Sequence, residues 1–397
     1  MKALIYRYGS ICEPDIIEGL KRLGFTVDEI NNEITNKGMT AAEGVGILSP
    51  KLMSDNYIFV FTINFFPWIS EVCKITGTVY ISLVVDSPVW ELFTKSIENK
   101  INRVFIFDKA QYEEVAAYNR ECVFHIPLAT NVDRNDRVIA KASVADKEKF
   151  KADISFIGST YQEKCPLNRG VFDEYEQGYL DGLIETQLNI YGFNFIENAL
   201  TDEMTKRLLA AIPGHYELPQ DSHANDRMLL AQQYISVKVA EQERIRTLKR
   251  LSEKFNVNIY TGSDTSQMPK INNRGFAKSL TEMPLIFNQS RINLNITAKS
   301  IRSGLSLRVF DVLGAGGFLI TNYQAEIPEI FTINKDLVCY ESMENLQELC
   351  RYYLKHDDER MQIAANGYET VKKYHNIDGR LLEIFSLAFP KGEGSQI

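Results

Sequence analysis

The stretch SIRSGLSLRVFDVLGAGGFLITNYQAEIPEIF, Ser300–Phe331, brings arginines, a carboxylate and a glycine cluster into one short run. Leu307, Phe310, Val312 and Leu313 recur at helical spacing, so SLRVFDVLGAGG reads as a helix that ends at Gly314, Gly316 and Gly317 and feeds the strand FLIT. SIRSGLS before it is a Ser/Gly loop with Arg302 beside it. Amides at a helix N-terminus next to cations hold anions, above all a diphosphate. Arg308 adds a guanidinium whose fork matches phosphate oxygens. Asp311, one turn into the helix, is placed to accept hydrogens from two ribose hydroxyls. These parts fit a nucleotide diphosphate. They also fit a plainer arrangement, in which Asp311 is a solvated helix residue and the glycines let helix and strand pack closely. Composition leaves both open.

Other chemistry-bearing residues are more isolated. Asp86 in VVDSPVW follows an apolar strand and suits a general base or an acceptor contact, or equally a turn carboxylate before Pro88. His125 in FHIPLATN ends a strand, where an imidazole contacts a sugar hydroxyl or a diphosphate, or simply packs. His375 in KKYHNI reads as a helix-end structural histidine. Tyr260, Thr261 and Gly262 in NIYTGS end a strand and offer backbone groups to a nucleotide base. No Asp-x-Asp is present, and hard cations want paired carboxylates. A metal-independent reaction is expected, with Arg, Lys and amides stabilising a leaving diphosphate.

The elements that must position these residues alternate strand and helix, the mark of a parallel sheet covered by helices. KALIYRY, TVDEI, NYIFVFTIN, TVYISLVV, RVFIFD and CVFHIPL are the strands of an N-terminal domain expected over residues 1–150. Asp133–Asp153 is charged and poor in large apolar residues, and reads as a linker. A second domain is expected over 151–375, opening with DISFIGSTYQEK, carrying a helical insertion around 166–251, and returning to strands at VNIYTGS, RINLNIT, GFLIT and DLVCYE. A C-terminal helix over 376–397 is expected to cross back to the first domain. The fold class is α/β, two Rossmann-like domains facing across a cleft, with donor on one side and acceptor on the other.

Bulk properties narrow the function. At 397 residues the chain exceeds the roughly 250–300 that one core serves. A net charge of −8 argues against nucleic acid as a partner, since phosphate neutralisation needs a basic face. Cys12, Cys73, Cys122, Cys165, Cys339 and Cys350 lack CxxC spacing, so reduced thiols are expected rather than zinc or disulfides. The start MKALIYRYGSICEPDIIEGL lacks a signal-peptide apolar run, and no stretch reaches the ~20 apolar residues of a membrane span. A cytoplasmic protein is expected.

The Ser300–Phe331 stretch resembles the nucleotide-binding region of GT-B glycosyltransferases, more narrowly the CgeB-like glycosyltransferase family. In the broader retaining group it reads E-G-F-G-L-P-x-L-E-A-x-A-x-G-x-P-V-I-A, then I-P-E-I-V. Laid on this chain without a gap, Ser303 takes the first glutamate, Gly304 its glycine with Leu305 following, Asp311 the second glutamate and Gly316 the later glycine. Ile327–Ile330 matches outright. FIGSTYQEK resembles F-V-G-R-x-x-x-x-K, which puts Gly158, Ser159 and Lys164 at the diphosphate. INLNIT, SLVVDSP and RMQIAANGYETVKKYH are similar to CgeB-like sequences as well. The resemblance implies GT-B folding and transfer of a sugar from a nucleotide-diphosphate sugar, a UDP-sugar among the candidates, with a retaining course and no further cofactor. Together with the readings above, it puts donor binding on Gly158, Ser159, Lys164, Tyr260, Thr261, Arg302, Ser303, Gly304, Leu305, Arg308 and Asp311, and leaves Asp86 and His125 as catalytic candidates. Ser303 and Ser159 depart from the pattern, replacing a sugar-contacting glutamate and a diphosphate-contacting arginine; Lys299, Arg302 or Arg308 would restore the charge. A non-catalytic carbohydrate-binding or spore-coat-associated protein, or an epimerase on the same scaffold, stays open, as do the acceptor (protein, glycan or small molecule) and the oligomeric state.

Overall fold

The computed structural model describes residues 1–390. By internal contacts the chain divides into two compact units: Met1–Asn131 with Pro219–His223 and the chain from Tyr374, and Val132–Leu218 with Ala224–Lys373.

In the first unit the apolar and aromatic runs form β1 (Lys2–Tyr6), β2 (Thr26–Ile30), β3 (Phe59–Ile63), β4 (Val79–Val84), β5 (Asn102–Ile106) and β6 (Val123–His125), all parallel, in the order β2-β1-β3-β4-β5-β6. Every residue of β3 is buried, as a parallel strand covered on both faces requires. The strand order reverses between β1 and β3, and ligands of open α/β sheets sit at the carboxyl ends of strands at such a point. The helix Ile377–Ala388 belongs to this unit. Its Ile377, Leu381, Ile384 and Ala388 share a buried cluster with Phe59 and Phe61, and the Phe385 ring lies 5.3 Å from those of Phe25 and Phe59. Of the tail expected at 376–397, residues 391–397 lie outside the described residues.

The second unit holds β7 (Ala152–Ile157), β8 (Val257–Tyr260), β9 (Asn272–Asn273), β10 (Ser290–Asn295), β11 (Leu319–Asn322) and β12 (Val338–Tyr340), also parallel, in the order β12-β11-β10-β7-β8-β9. Its reversal falls between β10 and β7. The chain from β7 to β8 is helical at Glu174–Leu188, Asp202–Ala210 and Ser236–Ser252, the last entered through a π-helical turn at Leu230–Ile235.

Two expectations need correction. The contact division falls at Asn131 rather than at 150, and the charged stretch Asp133–Asp153 is no linker. It forms the helices Val132–Lys141 and Val144–Phe150. Val138, Ile139 and Ala142 pack on Phe150, Tyr260, Leu285 and Ile286, so a few well-spaced apolar residues outweigh the charge around them. Ser143 and Asp146 cap the second helix reciprocally.

The glycine cluster after Leu313 does what packing demands. The helix Leu307–Leu313 ends at Gly314, Gly316 takes a left-handed φ of 72°, and a Cβ on Gly317 would lie 2.6 Å from the Phe287 carbonyl oxygen. Among the described residues, no helix is long and apolar enough to cross a membrane.

Candidate functional site

The reversal of the second sheet collects four segments at the carboxyl ends of its strands. The first is the loop after β7. Gly158 N–H donates to the Tyr260 carbonyl at 3.2 Å, which ties the ends of β7 and β8. The Ser159 hydroxyl donates to Glu163 at 2.8 Å and accepts the Tyr161 N–H at 2.8 Å. The loop after β8 joins the same network, for Ser263 Oγ donates to Glu163 at 3.0 Å and accepts the Thr160 N–H, while Thr261 Oγ1 accepts the Ser263 N–H. Burial pushes the Glu163 carboxyl up, but its own backbone N–H and the two serine hydroxyls outweigh that and hold it below its ordinary value. Lys164 is exposed beside it. The Tyr260 side chain turns away into the core with Phe150 and Leu285, so only its backbone serves the edge. The Phe276 ring, 85% exposed, lies over Gly262, where a Cβ would come within 2.1 Å of its tip.

The loop after β10 carries Arg302, Ser303, Gly304 and Leu305. It is held from below by the segment after β11: Gln324 Nε2 donates to the carbonyls of Ile301 and Gly304 at 3.1 and 3.3 Å, and Ser303 Oγ donates to Glu326 at 2.7 Å. Gln324, Glu326 and Leu305 are all buried. A carboxylate thus stands beside Ser303 although position 303 itself has none.

The helix Leu307–Leu313 follows at once. With seven residues it is too short for the amide-and-dipole anion site expected at its start. What remains for an anion is side-chain charge. Arg308 lies 3.7 Å from the Asp311 carboxylate and packs over the Phe287 ring at 5.1 Å. Burial pushes its guanidinium down from the ordinary value; Asp311 opposes the shift and Arg244 adds to it.

Arg244 escaped the sequence reading. It sits on Ser236–Ser252 and reaches the ends of both central strands, donating to the Ser159 carbonyl at 2.7 Å and to the Ile296 carbonyl at 2.7 and 3.2 Å. Its guanidinium stacks 4.4 Å from the Tyr161 ring. The helix Ser236–Ser252 holds Lys238, Arg244, Arg246, Lys249 and Arg250, and nothing in its pattern separates the one cation that turns to the strand ends. Glu326, in AEIPE, was likewise missed.

In the first unit, Asp86 is exposed just beyond β4 and accepts from Asn64 Nδ2 at 2.7 Å. Asn64 has a left-handed φ of 57°, accepts the Val85 N–H at 3.0 Å and donates to the Tyr8 hydroxyl at 3.2 Å. His125 Nε2 lies 3.2 Å from the Phe107 carbonyl, and its ring is 5.7 Å from that of Tyr112. Since β5 runs between β4 and β6, Asp86 and His125 are separated by about two strand spacings, roughly 10 Å. They form no pair. At the β1 end, Glu13 is 1% exposed and its Oε1 accepts the N–H groups of Tyr8, Gly9 and Ser10 at 2.9–3.0 Å, while Oε2 accepts from Arg7 Nε. His375 is buried against Arg380, whose Nη2 donates to its Nδ1 at 2.9 Å; burial, with Arg380, pushes the imidazole down to about 4.

Residues 241–386 match the model of a family described as glycosyl transferase-like. Solved structures with the same fold include a glycosyltransferase from Rickettsia africae, 13% identical over 98% of this chain and 99% of that one, with a TM-score of 0.54. A sucrose-phosphate synthase from Thermosynechococcus elongatus is 11% identical over 98% of each chain at 0.53. HepE from Anabaena, solved with UDP and glucose, is 10% identical over 96% of this chain and 98% of that one at 0.52. Likeness at such identity speaks to architecture: the fold is α/β of the GT-B type. No curated protein matches the chain in sequence.

Proposed function

We propose that the protein is a metal-independent glycosyltransferase that takes a sugar from a nucleotide-diphosphate donor, held by the second unit, to an acceptor hydroxyl. The observation that carries this is the placement of Arg244, Arg308 and the Ser303–Leu305 loop at the reversal of the second sheet, inside the stretch that matches the glycosyl transferase-like model. Arg244 and Arg308, with Arg302 from the loop after β10 and Lys164 from the loop after β7, face the diphosphate and take up the charge that grows on it as the anomeric carbon–oxygen bond breaks. Asp311 accepts the ribose hydroxyls. The base rests on the exposed Phe276 ring and the backbone of Thr261 and Gly262. Ser303 and Glu326 together supply the hydroxyl and carboxylate that hold the sugar, which is how a chain without a glutamate at 303 keeps the function.

The course is read as retaining, on the resemblance around Asp311 and Ile327–Ile330. In that course the new bond forms on the face the diphosphate leaves, and the departing oxygen takes the acceptor proton. Asp86, oriented by Asn64, holds the acceptor hydroxyl, and His125 has a lesser part in the same unit. UDP is the favoured nucleotide, since HepE of the same fold was solved with it. A CgeB-like membership, a cytoplasmic setting and the absence of any cofactor beyond the donor belong to the same proposal.

The test is incubation of the full chain with UDP-, GDP- and dTDP-sugars, scoring released nucleoside diphosphate with and without EDTA. Slow turnover of one donor, unchanged by EDTA, is expected. Binding without turnover under any acceptor would replace the enzyme by a binding protein, and loss in EDTA restored by manganese would overturn metal independence.

A further inference from the structure

Glu243 and Arg244 are neighbours on Ser236–Ser252, yet their side chains serve different places. Arg244 runs to the ends of β7 and β10. Glu243 runs to Lys299, in the loop between β10 and Arg302. Both residues of this pair are more than nine-tenths buried, with Lys299 Nζ 3.4 Å from Glu243 Oε1 and 4.6 Å from the centre of the Tyr191 ring. Neither Nζ nor either carboxylate oxygen has a hydrogen-bond partner among the described residues. Burial pushes the Glu243 carboxyl up and Lys299 opposes it.

Stability does not account for such a pair. Two charges taken out of water without further hydrogen bonds lose about what they regain by attraction, and apolar side chains of similar volume serve a core as well or better. What an ion pair does that a slippery apolar contact does not is fix a particular separation between two backbone segments. A second tie runs beside it, since Asn194 Nδ2 donates to both the Ser236 hydroxyl and the Lys299 carbonyl, at 2.8 and 2.9 Å. Arg244 supplies a third through the Ile296 carbonyl. All three ties join one helix to one loop.

We infer that Glu243 and Lys299 are positioning residues for the donor site: their pair fixes the register of the 296–305 loop against the helix bearing Arg244, so that guanidinium and loop meet the diphosphate as one preformed surface. This rests on the donor reading above.

The experiment measures UDP affinity by calorimetry and melting temperature on the same full-length preparations of wild type, Lys299→Met, the double variant Glu243→Met/Lys299→Met, and the reversed pair Glu243→Lys/Lys299→Glu. Lys299→Met, which strands a buried carboxylate, should melt well below wild type. The double methionine variant should regain the wild-type melting temperature yet bind UDP about tenfold or more weakly. If it does not refold to full stability, the reversed pair decides: binding UDP more tightly than the double methionine variant supports the inference, and binding no better counts against it. A double methionine variant with UDP affinity within about twofold of wild type overturns the inference and leaves the donor reading standing. A wild type that binds neither UDP, GDP nor dTDP overturns the donor reading and the inference with it.

Discussion

The two sheets have the same number of parallel strands and each reverses order once, but their carboxyl ends are finished in opposite ways. In the first unit the loop after β1 turns three successive N–H groups inward, a concavity made for an anion, and fills it with the chain's own Glu13; Arg7 is held by Glu13 and Glu29 at 3.0 and 2.6 Å. That edge is closed to phosphate. In the second unit Arg244 is held by carbonyl oxygens and an aromatic face, and Arg308 pairs with Asp311 at 3.7 Å. Positive charge at this edge is held mainly by backbone carbonyls and by one carboxylate at longer range. Whether such an edge takes a diphosphate therefore depends on what its own carboxylates have already neutralised.

The largest effect that would test this contrast is on Arg244. Arg244→Ala should weaken UDP binding about 10–100-fold, the weight of charged hydrogen bonds at roughly 1.5–3 kcal/mol, and Arg244→Lys should fall between, because it keeps the charge without the fork. Equal affinity in all three proteins, by calorimetry, would break the contrast. Asp86→Asn acts from the other unit. It should lower donor turnover about tenfold or more, as the loss of one charged contact to the acceptor hydroxyl, while UDP affinity stays at the wild-type value. A fall in UDP affinity would mean that the two edges do not divide the labour.

Asp311→Asn keeps the size of the side chain and one acceptor oxygen. UDP affinity should drop about tenfold with little movement of the melting temperature, since the carboxylate is partly exposed and its ion pair long. The reverse pattern, intact affinity and a lower melting temperature, would return Asp311 to a structural role. The smallest effect is on pH dependence and should be confined to the first unit. His375 is depressed to about 4, so between about 6.5 and 4 the unfolded chain binds a proton that the folded one refuses. Its contribution is whole above about 6.5 and fades as pH falls, at about 1.4 kcal/mol per unit. Calorimetric scans at pH 7 and pH 5 should show one transition moving down by a few degrees, and His375→Gln should flatten that shift. An unchanged shift in the variant would place the acid sensitivity elsewhere.

Much of this was legible in the residues. Runs such as TVDEI and TVYISLVV became strands within a residue or two of the expected ends, and the helix over SLRVFDVL stopped at its glycines, because β-branched runs and glycine stops are local signals. The linker was misread because charge density was weighed above the spacing of Val138, Ile139 and Ala142, although Ser143 and Asp146 already spelled a capped helix start. Around the strand ends, residues carried by the motif stretches themselves were legible as candidates: Gly158, Ser303, Arg308. Those that arrive through tertiary packing were not. Arg244 comes from a helix remote from the motif, Glu326 stands in space where sequence alignment shows a serine, and the two-residue β9 has no apolar pattern to announce it.

The helix Ile377–Ala388 closes the core of a unit whose strands were all made before residue 126. On a ribosome adding about 5–20 residues per second, the interval between those strands and their last helix is on the order of tens of seconds. Throughout it the faces of β1 and β3 that will meet Leu381, Ile384 and Phe385 have no cover. The unit whose strands come first in the sequence is covered by a helix about 250 residues later, so its nascent form presents apolar surface until Leu381, Ile384 and Phe385 arrive.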